Sequence, residues 1–545
     1  MAQLSISRAL TELARRNPER LSVRDSSRVL TRRELDERTN GLARSYAALG
    51  VRAGDLVTVA LPNGVGFVEA CVAAWKLGAT PQPVSARLPA PELEAILELA
   101  APALVVTSEL APDGDTSLLP DAVSAEWKAP TSGGSTGRPK LIISVLPGLA
   151  DPDVPAVHYL PREGIQLVPG PLYHNGPFIY AFRGLFCGHS LVVRERFDAV
   201  DWLASVQQHR VTWTMAVPTM LHRIWRLGPQ VRDAYDLSSL ERVLHLGAPC
   251  PPELKRAWIG WLGPDRIWEL YAGTEANGLT LLDGNEWLTH PGSVGRPALG
   301  SSVRVLGPDG HDLPTGEVGE VFLMPAGGPG STYRYVGATA RSVDGWESLG
   351  DLGRLDADGY LYLVDRTADC IVTGGANVYP AEVEAALDSH PAVRSSAVVG
   401  LPDADLGQRV HALVDATDPV TDAELLEHVA RRLARYKVPR TVELVTARYA
   451  TTPANCAARS CGRRACRRRR TGRRTSRRSR TPGGSSACRS RRGTPRRRRA
   501  TTVGARCRGG RRTAAPPRWA WWRGGRPATR SGHSGRGRSA WWCRR

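Results

Sequence analysis

Thr131-Ser132-Gly133-Gly134-Ser135-Thr136-Gly137-Arg138-Pro139-Lys140 is the stretch on which the reading of the fold turns. Small residues let backbone N–H groups close around phosphate oxygens, hydroxyls add donors, and Lys140 adds a compact positive charge. The order is not that of a Walker phosphate loop, because Pro139 precedes the lysine and Leu141 follows it where Gly and Ser or Thr would be needed. A flexible linker has no use for the Thr-Gly-Arg-Pro-Lys ending. The segment reads as a phosphate-binding turn.

Outward from this turn the chain alternates helix and strand. On its N-terminal side ISRALTELARR is an amphipathic helix, LSVRD a short strand, and RRELDERTNGLARSYAALG a second amphipathic helix ended by Gly50. GDLVTVALP, GFVEACVAAWKLGA and PALVVTS then give strand, helix and strand, the order of parallel strands joined by helical crossovers. Downstream, SLVVRERF, VTWTMAVP and RVLHLGAP are apolar strands separated by helices in DAVDWLASVQQH and TMLHRIWRL, a second α/β unit reaching to about residue 280. From Gly292 to Gly345 short strands punctuated by Gly and Pro predict a small β-rich subdomain. DGYLYLVDRTADCIVTGG reads as one more hairpin. PAEVEAALDSH, SSAVVGLPD, RVHALVDA and AELLEHVARRLARYKVP then form a small α+β domain, interrupted near Ala447. The expected architecture is α/β: a large N-terminal domain over residues 1–367, with two α/β sheet subdomains and a small β subdomain, then a small mobile α+β domain over 368–447.

The 545 residues exceed what one core holds, since single cores stop growing near roughly 250–300 residues. Hydrophobic content of 42% and charged content of 23% are those of a soluble globular protein, and no run approaches the ~18 apolar residues of a membrane span. The N-terminus lacks the apolar core and cleavage site of a secretory signal, so a cytoplasmic location is expected. The net charge of +20 is an average over two unlike parts. From Tyr449 to Arg545 there are 31 Arg and no Lys, Asp or Glu; the preceding part keeps 42 basic and 53 acidic residues, a net −11. Six cysteines lie in this tail without metal-ligand spacing, and His533 is its only histidine, so neither a zinc site nor a disulfide framework is expected.

Four more motifs follow the glycine-rich turn: Tyr271-Ala272-Gly273-Thr274-Glu275; Gly316-Glu317-Val318-Gly319-Glu320; Gly350-Asp351-Leu352-Gly353; and Asp365-Arg366-Thr367-Ala368-Asp369 running into Gly374-Gly375-Ala376-Asn377-Val378-Tyr379-Pro380. In this order they resemble the adenylate-forming superfamily of acyl-CoA ligases, luciferases and peptide-synthetase adenylation domains, over about residues 5–447. Attack of a carboxylate on the α-phosphorus of ATP brings two anions together and releases pyrophosphate, so neutralising charge is the main task.

By that resemblance ATP, Mg²⁺ and coenzyme A are the co-reactants, with Thr131, Ser132, Gly133, Gly134, Ser135, Thr136, Gly137 and Lys140 around the phosphates. Glu275, with Thr136, would hold Mg²⁺, Thr274 would contact a phosphoryl oxygen, and Lys140 would steady the loop. Asp351 would accept both ribose hydroxyls, a match of two oxygens to two hydroxyls, with Arg366 as its partner on the nucleotide. Gly247-Ala248-Pro249 would pack on adenine, with Tyr271 near the base and Ala272 and Gly273 in the turn beside it. His174, in Pro171-Leu172-Tyr173-His174-Asn175-Gly176-Pro177-Phe178, would gate the acyl pocket; Thr136, His174 and Glu275 are the expected catalytic set. Gly374 and Gly375 would line the pantetheine path. The pivot between the two half-reactions falls at Ala368, where the family usually has Asp or Lys, which puts the usual hydrogen bonding of the hinge in doubt.

Amino-acid adenylating members place an aspartate opposite the substrate's ammonium; none occurs from Pro171 to Phe186, and an unpaired buried ammonium would cost several kcal/mol. The resemblance therefore favours an acid without an α-amine, a fatty, aryl or steroid acid, and the bacterial bile-acid and fatty-acid branch in particular. An amino-acid adenylating enzyme is kept as an alternative.

The family's small domain ends in a P-R-x-x-x-G-K motif whose lysine reaches the acyl carboxylate and α-phosphate. It is absent here. After Tyr436-Lys437-Val438-Pro439-Arg440 the chain runs on through Thr446 into ARYATTPANCAARSCGRRACRRRR. The tail from Tyr449 has no Leu, Ile, Phe, Met, Lys, Asp, Glu or Gln, the composition of a GC-rich gene read out of frame. Joining the third base of each codon to the first two of the next, Ala450 to Arg459 can encode Asp-Asp-Ala-Gly-Lys-Leu-Arg-Arg-Ser. The lost lysine would then span the codons of Ala454 and Asn455. Residues 448–545 are thus expected to be a disordered, frame-shifted tail, and adenylation to be impaired. The competing readings are a catalytically impaired nucleotide or acyl-CoA binding protein, and an Arg- and Trp-rich nucleic-acid-binding extension; no specific nucleic acid is expected.

Overall fold

A computed structural model describes residues 3–133, 139–366, 371–373, 376–403, 407–433 and 435–445. Contacts group the chain into Met1–Thr475 and Ser476–Arg545, and every described residue belongs to the first unit. Among the sequence expectations, those on Gly134, Ser135, Thr136, Gly137, Ala368, Gly374, Gly375, the Arg366 side chain and residues 448–545 lie outside the described residues.

The helices read from the sequence form, whereas Ala90–Ala100, Asn175–Phe186 and Pro252–Leu262 are helices that the sequence reading did not name. Ile6–Arg16 buries Ile6, Ala9, Leu10, Leu13 and Ala14 on one face, and Ser5 caps it by accepting the Arg8 N–H at 3.0 Å. Arg32–Ala48 begins with a reciprocal cap in which Thr31 and Glu34 each accept the other's backbone N–H, a device that contributes about 1 kcal/mol.

The main sheet has nine strands in the order Arg296–Pro297, Leu279–Asp283, Ile267–Ala272, Arg242–Leu246, Trp213–Ala216, Ile165–Val168, Ser190–Val193, Leu21–Arg24, Val29–Thr31. The six from Ile267–Ala272 to Leu21–Arg24 run parallel. Their near-continuous apolar runs follow from burial on both faces. Trp202, Leu203, Leu221 and Trp258 pack on one side of it. In another core Trp75 meets Phe178, Phe182 and Phe186 with ring centroids 4.8–6.1 Å apart. A second, three-stranded parallel sheet joins Leu56–Val59 to Thr80–Pro83 and Leu104–Val106.

Three strand assignments differ from the sequence reading. LSVRD, placed with the first α/β unit, instead pairs in parallel with Ser190–Val193 of the main sheet. STYRYVG, placed in the β-rich subdomain, contributes Tyr333–Val336 to a separate sheet with Pro139–Ser144 and Thr131–Gly133. DGYLYLVDRTADCIVTGG is not one hairpin: Leu361–Arg366 pairs with Trp346–Leu355, whereas Ile371–Thr373 pairs with Ala376–Val378 and Gly407–Ala416. In the first two cases alternation marked a strand but not its partner, which lies far along the chain, and in the third the run divides between two sheets whose nearest strands lie just before and just after it. The small α+β unit contains helices Pro380–Asp388 and Asp422–Ala430 against strands Val393–Asp403 and Gly407–Ala416, with Thr441–Leu444 added in parallel at the edge.

Candidate active site

Parallel sheets bind ligands beyond the carboxyl ends of their strands. His174 follows Ile165–Val168, Gly247 follows Arg242–Leu246, and Glu275 follows Ile267–Ala272, so three motifs far apart in sequence leave one edge of the main sheet. Gly247 has φ +87°, a left-handed conformation that admits glycine without strain, and it turns Ala248 and Pro249 out to an exposed position. Ala272, Gly273 and Thr274 begin the connection to the antiparallel strand Leu279–Asp283. A Cβ on Gly273 would lie 2.7 Å from Glu275 Oε2 and 2.8 Å from the Leu349 methyls, so a larger residue there would displace the ends of those two side chains.

The separate three-stranded sheet brings a cation and a phenol to Glu275. Ser132 faces Lys140, and Tyr335 faces Ile142 on the next strand, so Lys140 and Tyr335 share a face of the pleat. The Lys140 ammonium donates to Glu275 Oε1 at 3.1 Å and to the Tyr335 hydroxyl at 2.9 Å, and that hydroxyl donates to the same Oε1 at 2.5 Å. Burial, then the Glu275 charge, pushes the Tyr335 hydroxyl well above its ordinary pKa, so it stays protonated as donor. Glu275 is 6% exposed, and its Oε2 has no hydrogen-bond partner among the described residues. That is the hard, anionic oxygen a Mg²⁺ ion requires.

Beside this cluster the Tyr271 hydroxyl donates to Asp351 Oδ2 at 2.7 Å, and Asp351 is 7% exposed. Strand register sets Arg366 directly opposite Asp351. Thr131 accepts from Gln82 Nε2 at 3.3 Å, and Gln82 accepts from Thr58 at 2.5 Å, which ties the strand Thr131–Gly133 to the second parallel sheet. His174 is exposed and stands 4.5 Å ring to ring from Tyr173, outside the Lys140–Glu275–Tyr335 cluster. Sequence reasoning missed Tyr335, Gln82, Lys128, Arg183 and Asn277. Only Tyr335 carried a sequence signal, since alternation in STYRYVG sets it on one face with Tyr333. Asn277 is 1% exposed with both amide atoms unpaired among the described residues. Two internal voids, one against Arg32 and His189 and one between Tyr46 and Glu69, lie elsewhere and touch none of these residues.

A doubly covered parallel sheet with a Lys–Glu–Tyr cluster and a Tyr–Asp pair at its carboxyl edge has the architecture of an α/β ligand site. The chain belongs to the AMP-binding enzyme family, which matches residues 10–130 and 130–335, with the AMP-binding enzyme C-terminal domain at residues 382–453. It is 35% identical over 480 residues to a feruloyl-CoA synthase of Amycolatopsis sp, covering 81% of this chain and 94% of that one. It is 30% identical to a long-chain-fatty-acid–CoA ligase of Mycobacterium tuberculosis, covering 76% and 88%. The Bacillus subtilis o-succinylbenzoate CoA synthetase, solved with its acyl-adenylate intermediate, superposes with TM-score 0.70 at 25% identity, covering 84% of this chain and 97% of that one.

Proposed function

We propose that the body of this chain is an AMP-forming acid–CoA ligase: it activates a carboxylic acid with ATP and passes the acyl group to coenzyme A. The juxtaposition of Lys140, Tyr335 and Glu275 at the strand-end edge carries this reading. Membership of a family with CoA-ligase relatives supports it. No described helix is long and apolar enough to cross a membrane.

Each residue has a part in the chemistry. Glu275, with Thr136, would hold Mg²⁺, which when bound neutralises phosphate charge so that a carboxylate can approach. Thr131, Ser132, Gly133, Gly134, Ser135, Gly137 and Thr274 would surround the phosphates, and Lys140 would fix the Glu275 carboxylate and steady the turn. Asp351 would accept the ribose hydroxyls, with Arg366 on the facing strand, while Gly247, Ala248, Pro249, Tyr271, Ala272 and Gly273 would enclose the base. His174 would gate the acid, Gly374 and Gly375 would line the thiol's path, and Ala368 would be the pivot between half-reactions. The acid is an aryl, fatty or steroid acid without an α-amine. Residues 1–367 form the adenylating body and 368–447 an incomplete small domain.

Residues 448–545 are the product of a lost reading frame that removed the adenylating lysine. The two half-reactions therefore separate: acyl-AMP formation is impaired and thioester formation persists. Supplying synthetic aryl, fatty and steroid acyl-AMPs with coenzyme A, and following acyl-CoA by mass spectrometry, tests the ligase reading. Thioester from at least one class is expected; hydrolysis alone with every class, under conditions where AMP binds, would contradict it.

A further inference from the structure

Lys128 is 4% exposed, yet its ammonium has neither hydrogen bond nor ion pair among the described residues. Its nitrogen lies 5.6 Å from the centroid of the Trp127 ring, and the Arg183 guanidinium lies 6.0 Å from the same centroid. Arg183, in the last turn of helix Asn175–Phe186, likewise has no carboxylate partner among the described residues. Among the described residues two cations without a carboxylate partner, Lys128 buried and Arg183 half-buried, therefore lie against one buried indole.

Register shows where Lys128 points. Its carbonyl accepts the Ser144 N–H at 3.0 Å, extending the ladder in which Ser132 faces Lys140. By alternation Lys128 shares the face of Ser132, Lys140 and Tyr335, the face that meets Glu275. It stands four residues before Ser132, about 13 Å along an extended chain. The helix carrying Arg183 begins at Asn175, immediately after His174, and presents Phe178 to Trp127 at 6.1 Å. Arg183 stands nine residues beyond His174, roughly 13 Å along that helix, so it is remote from the residue expected to gate the acid.

A buried ammonium without a partner costs several kcal/mol, and a second cation beside it adds repulsion. Burial, then the Arg183 charge, brings the Lys128 pKa down to about 7, with only the Glu275 charge opposing. An anion between the two groups would remove both penalties and form charge-assisted bonds.

We infer that Lys128 and Arg183 form a subsite for a second anionic group on the acid substrate, a carboxylate or sulfonate remote from the carboxylate that reacts. This rests on the ligase reading and narrows its substrate class to acids carrying two negative charges.

The test uses the full chain and non-hydrolysable acyl-sulfamoyl adenosines in matched pairs, each ending in a carboxylate or a methyl group, over a short series of chain lengths. Calorimetry is expected to show the carboxylate member of at least one pair binding at least about tenfold tighter. In Lys128→Met and in Arg183→Met that ratio should fall towards one, with the methyl-terminated member reporting whether each variant keeps its nucleotide site. Tighter binding of the methyl-terminated members at every length would overturn the inference while leaving the ligase reading intact. So would an equal loss of pyrophosphate affinity in Lys128→Met, which would assign the lysine to the nucleotide. Failure of every analogue, and of AMP itself, would overturn both.

Discussion

The Tyr271 hydroxyl donates a 2.7 Å hydrogen bond to Asp351 Oδ2, joining the carboxyl end of a main-sheet strand to a strand of the small β-rich sheet. The bond holds a buried carboxylate in place before any nucleotide arrives. Asp351→Ala is therefore expected to weaken AMP binding by roughly 10–100-fold, the equivalent of losing one or two hydrogen bonds to a charged group. Tyr271→Phe, which keeps the carboxylate and loses only its anchor, should cost about tenfold or less. Calorimetry with AMP measures both; unchanged affinity in Asp351→Ala would place the ribose elsewhere.

Glu275→Gln keeps the shape of the side chain and removes its charge. The Mg²⁺ concentration that half-saturates ATP binding should rise by at least about tenfold, while metal-free AMP affinity changes little. Gly273→Ala should act in the same direction, because its methyl group would meet Glu275 Oε2 and the Leu349 side chain. A magnesium titration followed by nucleotide fluorescence checks both variants.

Lys76 has no exposed side-chain surface and donates to Asp36 Oδ1 and Asn40 Oδ1, each at 2.6 Å. Removing one partner strands a buried charge, so Asp36→Ala should cost about 3–5 kcal/mol by urea unfolding. Adding Lys76→Met should recover much of that loss. Simple additivity of the two would show that the pair is not coupled.

Asp388 accepts from the Ser396 hydroxyl at 2.8 Å, yet burial raises its pKa to about 6. With its folded pKa above the unfolded value near 3.8, the folded state binds the extra proton. Its stabilising contribution is full below about pH 4 and is lost as pH rises through 6. With its partial exposure allowed for, this amounts to about 1–2 kcal/mol. Asp388→Asn should remove that slope from stability measured between pH 4 and 7; an unchanged slope would assign it to another group.

The helices that were read from the sequence were legible because their signal is local. ISRALTELARR carries its apolar face and its cap within a dozen residues, and the helix spans the same residues. Thr80–Pro83 was not legible as a strand, since two of its four residues are proline and its ladder depends on Leu56–Val59. The site divides in the same way. Glu275, Lys140 and Asp351 stand in recognisable motifs, whereas Tyr335 reaches Glu275 only because its strand pairs with Pro139–Ser144, some 190 residues earlier in the chain. Lys128 and Arg183 carry no motif, and their significance lies in having no anionic partner among the described residues, which only the packed structure reveals.

The central claim is a CoA-ligase body whose adenylating lysine has been lost with its reading frame, and ATP–pyrophosphate exchange tests it most directly. The 545-residue chain should be compared with a version whose frame is restored near Ala447, using the acids accepted as acyl-AMPs. Exchange is expected to be lower in the 545-residue chain by about 10²–10³-fold, the effect of removing one transition-state charge contact, and to return with the Gly-Lys. Equal exchange by the two forms would contradict the account.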